Sequence, residues 1–365
     1  MKLTITLTLK GRDEFTYRWM DYMNEMRCPY KILIADGGDN LGIEEHLRNV
    51  NNYPNLDYEY IRYPFDATLD DYYNKLENLN SRISTDYTLQ ADNDDFYLLD
   101  RIPELIAFLD DHPDYVAARG QLVNFEVFNS IWDIDNKETR GFRYDASSVY
   151  SPSIDSDCPI TRIKKLCQGM ADYDYYGNWY SITRTSLLQK MWKNLVTLPN
   201  KGDHLVVEMM SHFMMMYSGK LKIMPTPFYL RQSNTSQFGG TLVLGNEFLE
   251  RCICNNAFSE FLFAVDQFLG LTSKEDRNEV LKSIAGWLNT FVYNIYRSQQ
   301  APSKLFYRYY GSIRRIPFLG SLAKFIFSFI KSLILQIPRS ANLRIKEIEP
   351  FILKRYQTKE NASYK

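Results

Sequence analysis

Hydrophobic and polar positions along the first third of the chain switch repeatedly between two periods. LTITLTL (residues 3–9) is rich in β-branched residues and predicts a strand. DEFTYRWMDYMNEM (13–26) has helical spacing, with Asp13 as its expected cap. YKILIA (30–35) predicts a second strand that runs into DGGDN. A helix near 43–50, a strand at LDYEYI (56–61), a helix over about 69–79 and a strand at DYTLQA (86–91) complete the series. This alternation predicts an α/β fold, with a mostly parallel sheet covered by helices on both faces.

Beyond it, residues 102–115 read as a helix with a turn and 116–128 as a strand-like run. Residues 132–174 are polar and irregular, the signature of a long functional loop or lid. Order returns at NWYSITRTSLLQKMW (178–192), then a helix at 204–219 closed by Gly219, and a strand at 221–230 leading into the loop RQSNTSQFGG. The five methionines of EMMSHFMMM read as core packing. Helical pattern fills most of the chain after Glu247. Two regions follow: a ligand-binding α/β domain over 1–240 and a helical C-terminal region over 241–365.

Charge changes the picture only at the C-terminal end. The whole chain carries a formal net charge of −1, yet residues 304–355 hold eleven Lys or Arg against two Glu. Within SLAKFIFSFIKSLIL the polar residues Ser321, Lys324, Ser328, Lys331 and Ser332 recur at helical spacing, and apolar residues fill the other faces. Two lysines in the middle oppose a transmembrane span and favour a helix lying in a membrane surface over about 304–340. The flanking Arg308, Arg314, Arg315 and Arg339 favour anionic lipid. Basic residues interleaved with aliphatic and phenylalanine runs suit lipid better than nucleic acid. Five cysteines without a CxxC pair indicate neither a disulfide framework nor a zinc site. A reducing cytosol is the compartment the cysteines fit best.

The chemistry concentrates in LQADNDDFYLL (89–99), where Asp92, Asp94 and Asp95 follow a predicted strand. Carboxylates this close repel and raise one another's proton affinity. Oxygen ligands in a D-x-D arrangement suit Mn²⁺ or Mg²⁺, bridging the cluster to a phosphate-bearing substrate. In parallel sheets ligands bind beyond the carboxyl ends of the strands, which is where this cluster and Asp36 both fall. The histidines are scattered; His204 and His212, eight apart, do not form a helical metal pair.

LTITLTLKGRDEF, YKILIADGGDN, YPFDATLDDYYNKLENLNSRISTDYTLQADNDDFYL and FLDDHPDYVAARG together closely resemble a group of bacterial glycosyltransferases. That group belongs to the GT-A, family-2-like nucleotide-sugar transferases. The resemblance is dense over 3–120, thinner to about 234 and absent from the tail. It implies a GT-A fold, Rossmann-like, with a helical C-terminal extension. By its motifs Thr8, Lys10, Arg12 and Asp36 hold the nucleoside, and Lys75 lies near the nucleotide. Asp94 is the implied direct metal ligand; Asp92 is near the ribose and shares the metal, and Asp95 supports either role. Relatives commonly read DDDF or DADD where this chain has DNDDF.

The resemblance further implies a general base at the head of a helix ending about eleven residues later in Gly. Counting back from Gly219 reaches Glu208, with Asp203 as the rival or as an N-cap. The usual ED pair is replaced by VE, and a late histidine of the metal shell is replaced by YLRQSN. There Arg231 or Gln232 meets the diphosphate, Arg231 being better suited by its planar fork. The implied reaction moves a sugar from a nucleotide-diphospho-sugar to a hydroxyl of a glycan acceptor, with inversion. The basic tail adds a lipid-linked acceptor at the inner membrane surface, as in bacterial surface polysaccharide synthesis. Two alternatives stay open: a nucleotidyl or phosphosugar transferase, and a non-catalytic membrane assembly subunit.

Overall fold

The computed structural model describes residues 2–129, 140–145, 151–171, 178–198, 204–232 and 257–300, with 348, 350 and 351. Strands β1 (Leu3–Leu9), β2 (Lys31–Asp36), β3 (Tyr58–Arg62) and β4 (Tyr87–Ala91) alternate with helices α1 (Asp13–Glu25), α2 (Leu41–Arg48) and α3 (Leu69–Ser81). Then come β5 (Phe96–Tyr97), α4 (Ile102–Asp111), β6 (Tyr115–Asn129), β7 (Arg140–Asp145) and α5 (Pro159–Ala171). β8 (Ile182–Arg184), α6 (Thr185–Leu195), α7 (His204–Ser218), β9 (Lys220–Gln232), α8 (Ala257–Leu269) and α9 (Lys274–Gln300) complete the described elements.

One sheet runs in the order β3-β2-β1-β4-β8-β6-β9-β5, with β7 paired to β6. Its β3-β2-β1-β4 half is parallel, as the alternating pattern predicts. β8, β5 and β7 run antiparallel to their neighbours, while β6 and β9 pair in parallel. β1 is buried along nearly its whole length, as a central strand covered on both faces must be. Register sets the rim: Thr8 lies opposite Ala35, Leu9 opposite Asp36, and Asp36 opposite Arg62. The carboxyl ends of β1, β2 and β3 therefore open onto one edge, joined by the loop that follows β4.

One core joins α3, α5, α6 and α7 and takes in Val265, Leu269, Val280, Ile284, Trp287 and Leu288 of α8 and α9. The second lies between α1, α2, α4 and the strands. Met209, Met210, Met214, Met215 and Met216 are buried in the first, as packing predicts. Gly219 does follow α7, for a reason of space: a Cβ there would lie 2.3 Å from Val116 Cγ1 and 3.0 Å from the Asp114 carbonyl oxygen.

Local boundaries differ from the expectation in instructive ways. Asp13 is the first residue of α1, and the cap position is Arg12, in a left-handed conformation with φ 63°. Thr68 and Asp71 close a capping box on α3, each side chain bonded to the other's backbone N–H. The stretch 132–174, expected to be irregular, contains β7 and α5. Ile160, Ile163, Leu166 and Cys167 give α5 its buried stripe, a helical spacing hidden among polar residues. The basic segment 304–340 and the loop 233–240 lie outside the described residues. Among the described residues no helix is long and apolar enough to cross a membrane.

Candidate active site

The site forms at the rim where β1, β2 and β4 end. After β4 the chain carries Asp92, Asp94 and Asp95, one oxygen of each lying within 4.8 Å of the others. Asp94 and Asp95 are buried, and Asp92 is partly exposed. Burial pushes the Asp92 carboxyl above its usual range, and the neighbouring Asp94 charge adds to this. Burial pushes Asp95 up further, reinforced by Asp94 and Asp92.

Hydrogen-bond donors offset this charge without dispersing it. Arg12 Nη2 donates to Asp94 Oδ2 at 2.6 Å. Tyr180 donates its phenol to Asp92, and Tyr229 donates to Asp95, whose other oxygen accepts the Gln232 N–H at 2.7 Å. The two phenol rings stack on each other with centroids 4.4 Å apart. Both phenols are pushed well above their ordinary pKa, first by burial and then by the carboxylates, so they remain donors. The charge of Arg231, at the end of β9, draws Asp92 in the opposite direction.

This oxygen-only set, with one oxygen of each carboxylate within 4.8 Å of the others, fits a hard divalent cation such as Mn²⁺ or Mg²⁺. Asp94 and Asp92 are the residues that would hold it. Asp95 is engaged by Tyr229 and by β9 at its back, which suits a supporting role.

A second group lies at the end of β2. Asp36 is buried and accepts from the Gly38 N–H at 2.7 Å, Tyr60 at 2.6 Å and Arg62 Nη1 at 2.9 Å. Tyr63 and Asp66 lay the next loop against it through bonds to the Asp36 and Gly37 carbonyls. Gly37 is required here, since a Cβ would fall 2.3 Å from the Asp66 carboxyl carbon. Lys10 reaches the Asp66 carbonyl and lies 5.1 Å from the centre of the half-exposed Phe65 ring. Thr8 is hydrogen-bonded to Tyr72, whose ionisation burial suppresses first and the Asp92 charge next. Thr8, Lys10, Arg12, Asp36, Asp92, Asp94 and Arg231 thus share one rim.

Lys75 does not open onto that rim. Its ammonium is buried beneath it, paired with Asp66 and donating to the Leu9 carbonyl at 3.1 Å. Glu208 stands half-buried on α7, one turn before the buried His212, whose protonation burial disfavours and Glu208 favours. α7 packs on the short 3₁₀ turn 178–180 that carries Tyr180. Asp203 lies outside the described residues.

Arg18, Tyr60, Arg62, Asp66, Tyr180 and Tyr229 were not legible as site residues. Each meets the site through a contact between distant segments, and, Arg62 apart, nothing in its own neighbourhood marks it. A weak signal existed only for Arg62, a charged residue at the end of a predicted strand.

Topology and rim together define an α/β fold of the GT-A type. Among solved structures, residues 1–349 of TarS from S. aureus, in complex with UDP-GlcNAc, are similar at TM-score 0.50 and 12% identity, over 83% of this chain and 74% of that one. The mannosyltransferase PcManGT from Pyrobaculum calidifontis, in complex with GDP-Man and Mn²⁺, aligns at TM-score 0.42 and 12% identity, over 91% of this chain and 87% of that one. No protein-family model matches the sequence, and no curated protein does.

Proposed function

We propose that this chain is a metal-dependent glycosyltransferase, akin to the bacterial family-2-like enzymes, that moves a sugar from a nucleotide-diphospho-sugar to an acceptor hydroxyl with inversion. The observation that carries this reading is the carboxylate trio on the rim of a GT-A sheet, faced by Arg12 and Arg231. The likeness to TarS, crystallised with UDP-GlcNAc, supports a nucleotide-sugar donor.

In this reading Asp36, held by three donors, is a fixed acceptor for an N–H of the nucleobase. Thr8, Lys10 and Arg12 line the nucleoside and phosphate path, and Arg231 meets the diphosphate with its planar fork. Lys75 acts from beneath, keeping the Asp66 loop against Gly37. Asp94 and Asp92 would hold Mn²⁺ or Mg²⁺, which would supply charge stabilisation for the departing diphosphate. Glu208 takes the proton of the acceptor hydroxyl, with Asp203 as the other candidate.

The amphipathic, basic sequence of 304–340 supports a lipid-linked glycan acceptor and a peripheral position on the cytoplasmic face of a bacterial membrane, in surface polysaccharide synthesis. A thermal-shift screen of the purified chain against nucleotide diphosphates and nucleotide sugars, with and without Mn²⁺, tests the reading. A ligand that binds only the folded state raises the melting temperature by mass action. A shift that requires Mn²⁺ and one nucleotide class is expected. No shift with any pair would overturn the transferase in favour of a non-catalytic assembly subunit.

A further inference from the structure

Arg18, on α1, is 3% exposed. Its Nη2 donates to the backbone carbonyl of Asp94 at 2.7 Å, and its Nη1 to Gln232 Oε1 at 2.8 Å. The guanidinium lies over the Phe15 and Phe96 rings, 4.8 and 5.0 Å from their centres. Gln232 in turn donates its backbone N–H to Asp95. One side chain therefore ties α1 to the acidic loop and to the end of β9. A planar fork held against two rings fixes direction in a way that a flexible ammonium cannot.

We propose that Arg18 is a positioning residue for the metal-binding loop, setting Asp94 and Asp95 relative to each other and to the Arg231 end of β9. The inference rests on the transferase reading, in which these carboxylates serve a divalent cation. Three carboxylates brought together without a cation repel. A fixed link from the loop backbone to β9 keeps them from spreading apart, so the cluster has its binding geometry before the cation arrives. Arg18 bonds the Asp94 carbonyl rather than its carboxylate, which leaves both Asp94 oxygens outside this link.

The test uses Mn²⁺ alone, followed through the electron-spin resonance of the free ion, on the full chain. Arg18→Lys keeps the charge and loses the fork. Gln232→Met keeps Arg18 and removes its second acceptor with little change of volume, so it carries the test if Arg18→Lys does not fold. Tyr22→Phe is the control: it deletes a buried bond from the same helix to the Tyr97 carbonyl and leaves both Arg18 bonds, to Asp94 and to Gln232, in place. Urea midpoints in EDTA are measured alongside. The expected result is Mn²⁺ affinity weakened about 10- to 100-fold in the folded Arg18 and Gln232 variants, the range for changes behind a metal's ligands, with affinity unchanged in Tyr22→Phe. Equal affinity in all variants would overturn the positioning role. Equal weakening in Tyr22→Phe would also overturn it, as general loosening. A wild-type chain that binds neither Mn²⁺ nor any nucleotide would instead remove the transferase reading, and the inference with it.

Discussion

Lys75 and Asp66 form an ion pair beneath the rim, their side chains 1% and 2% exposed. Burial pulls the Lys75 ammonium below its usual pKa and pushes the Asp66 carboxyl above its own, while mutual attraction works against both shifts. Removing one partner leaves the other charged and buried, at a cost of about 3–5 kcal/mol. Lys75→Met should lower the urea midpoint accordingly. Lys75→Met with Asp66→Asn should regain much of the loss, because neither residue then brings a charge. A double variant as unstable as the single one would show that the pair matters through shape instead.

Asp94→Asn should keep the fold, since Arg12 still finds a carbonyl acceptor there, but weaken Mn²⁺-dependent nucleotide binding. The loss should reach at least the roughly 10- to 100-fold seen for changes one layer further out. Calorimetry with UDP and GDP, each with and without Mn²⁺, reads it directly. An assembly subunit would keep its partners in this variant.

Glu208→Gln should leave nucleotide and Mn²⁺ binding unchanged and lower turnover by about 10²- to 10⁴-fold, the share of a general base. Full activity in Glu208→Gln would move the role to Asp203.

Cysteine reactivity offers an independent check on packing. Hydrogen bonds from Thr161, at the start of α5, pull the exposed Cys158 thiol below its usual pKa, so more of it is thiolate at a given pH. Burial pushes Cys28 up to about 11 and Cys167 up to about 12. Raised thiols favour the fold below their ordinary value of 9.0, and that contribution fades as pH rises through about 11 and about 12. Brief iodoacetamide treatment at pH 8, mapped by mass spectrometry, should label Cys158 and spare Cys28 and Cys167 until urea is added.

The parallel half of the sheet was legible because buried parallel strands announce themselves as β-branched runs separated by helical periods. The acidic cluster was legible because three carboxylates at a strand's end need an explanation. What holds the cluster was not. Tyr180 and Asp92 are 88 residues apart, Tyr229 and Asp95 134, and Arg18 and Gln232 214. A phenol in a strand or an arginine in a helix looks the same whether it faces water or a carboxylate. Lys75 shows the converse: its helix before the acidic strand suggested a place near the nucleotide, and only packing reveals that Asp66 lies beside it and covers its charge beneath the rim. α5 was missed because its apolar stripe is narrow and its other faces are polar.

The stacked phenols have a practical consequence. Tyr180 touches Asp92 and Tyr229 touches Asp95, while Trp179 sits edge-on against Trp192, which donates to Gln90 two residues before Asp92. Paramagnetic Mn²⁺ arriving at the carboxylates would come within quenching range of this aromatic cluster, whereas diamagnetic Mg²⁺ would not quench it by that route. The chain therefore carries its own optical reporter of occupancy, readable in unlabelled protein from ultraviolet emission alone.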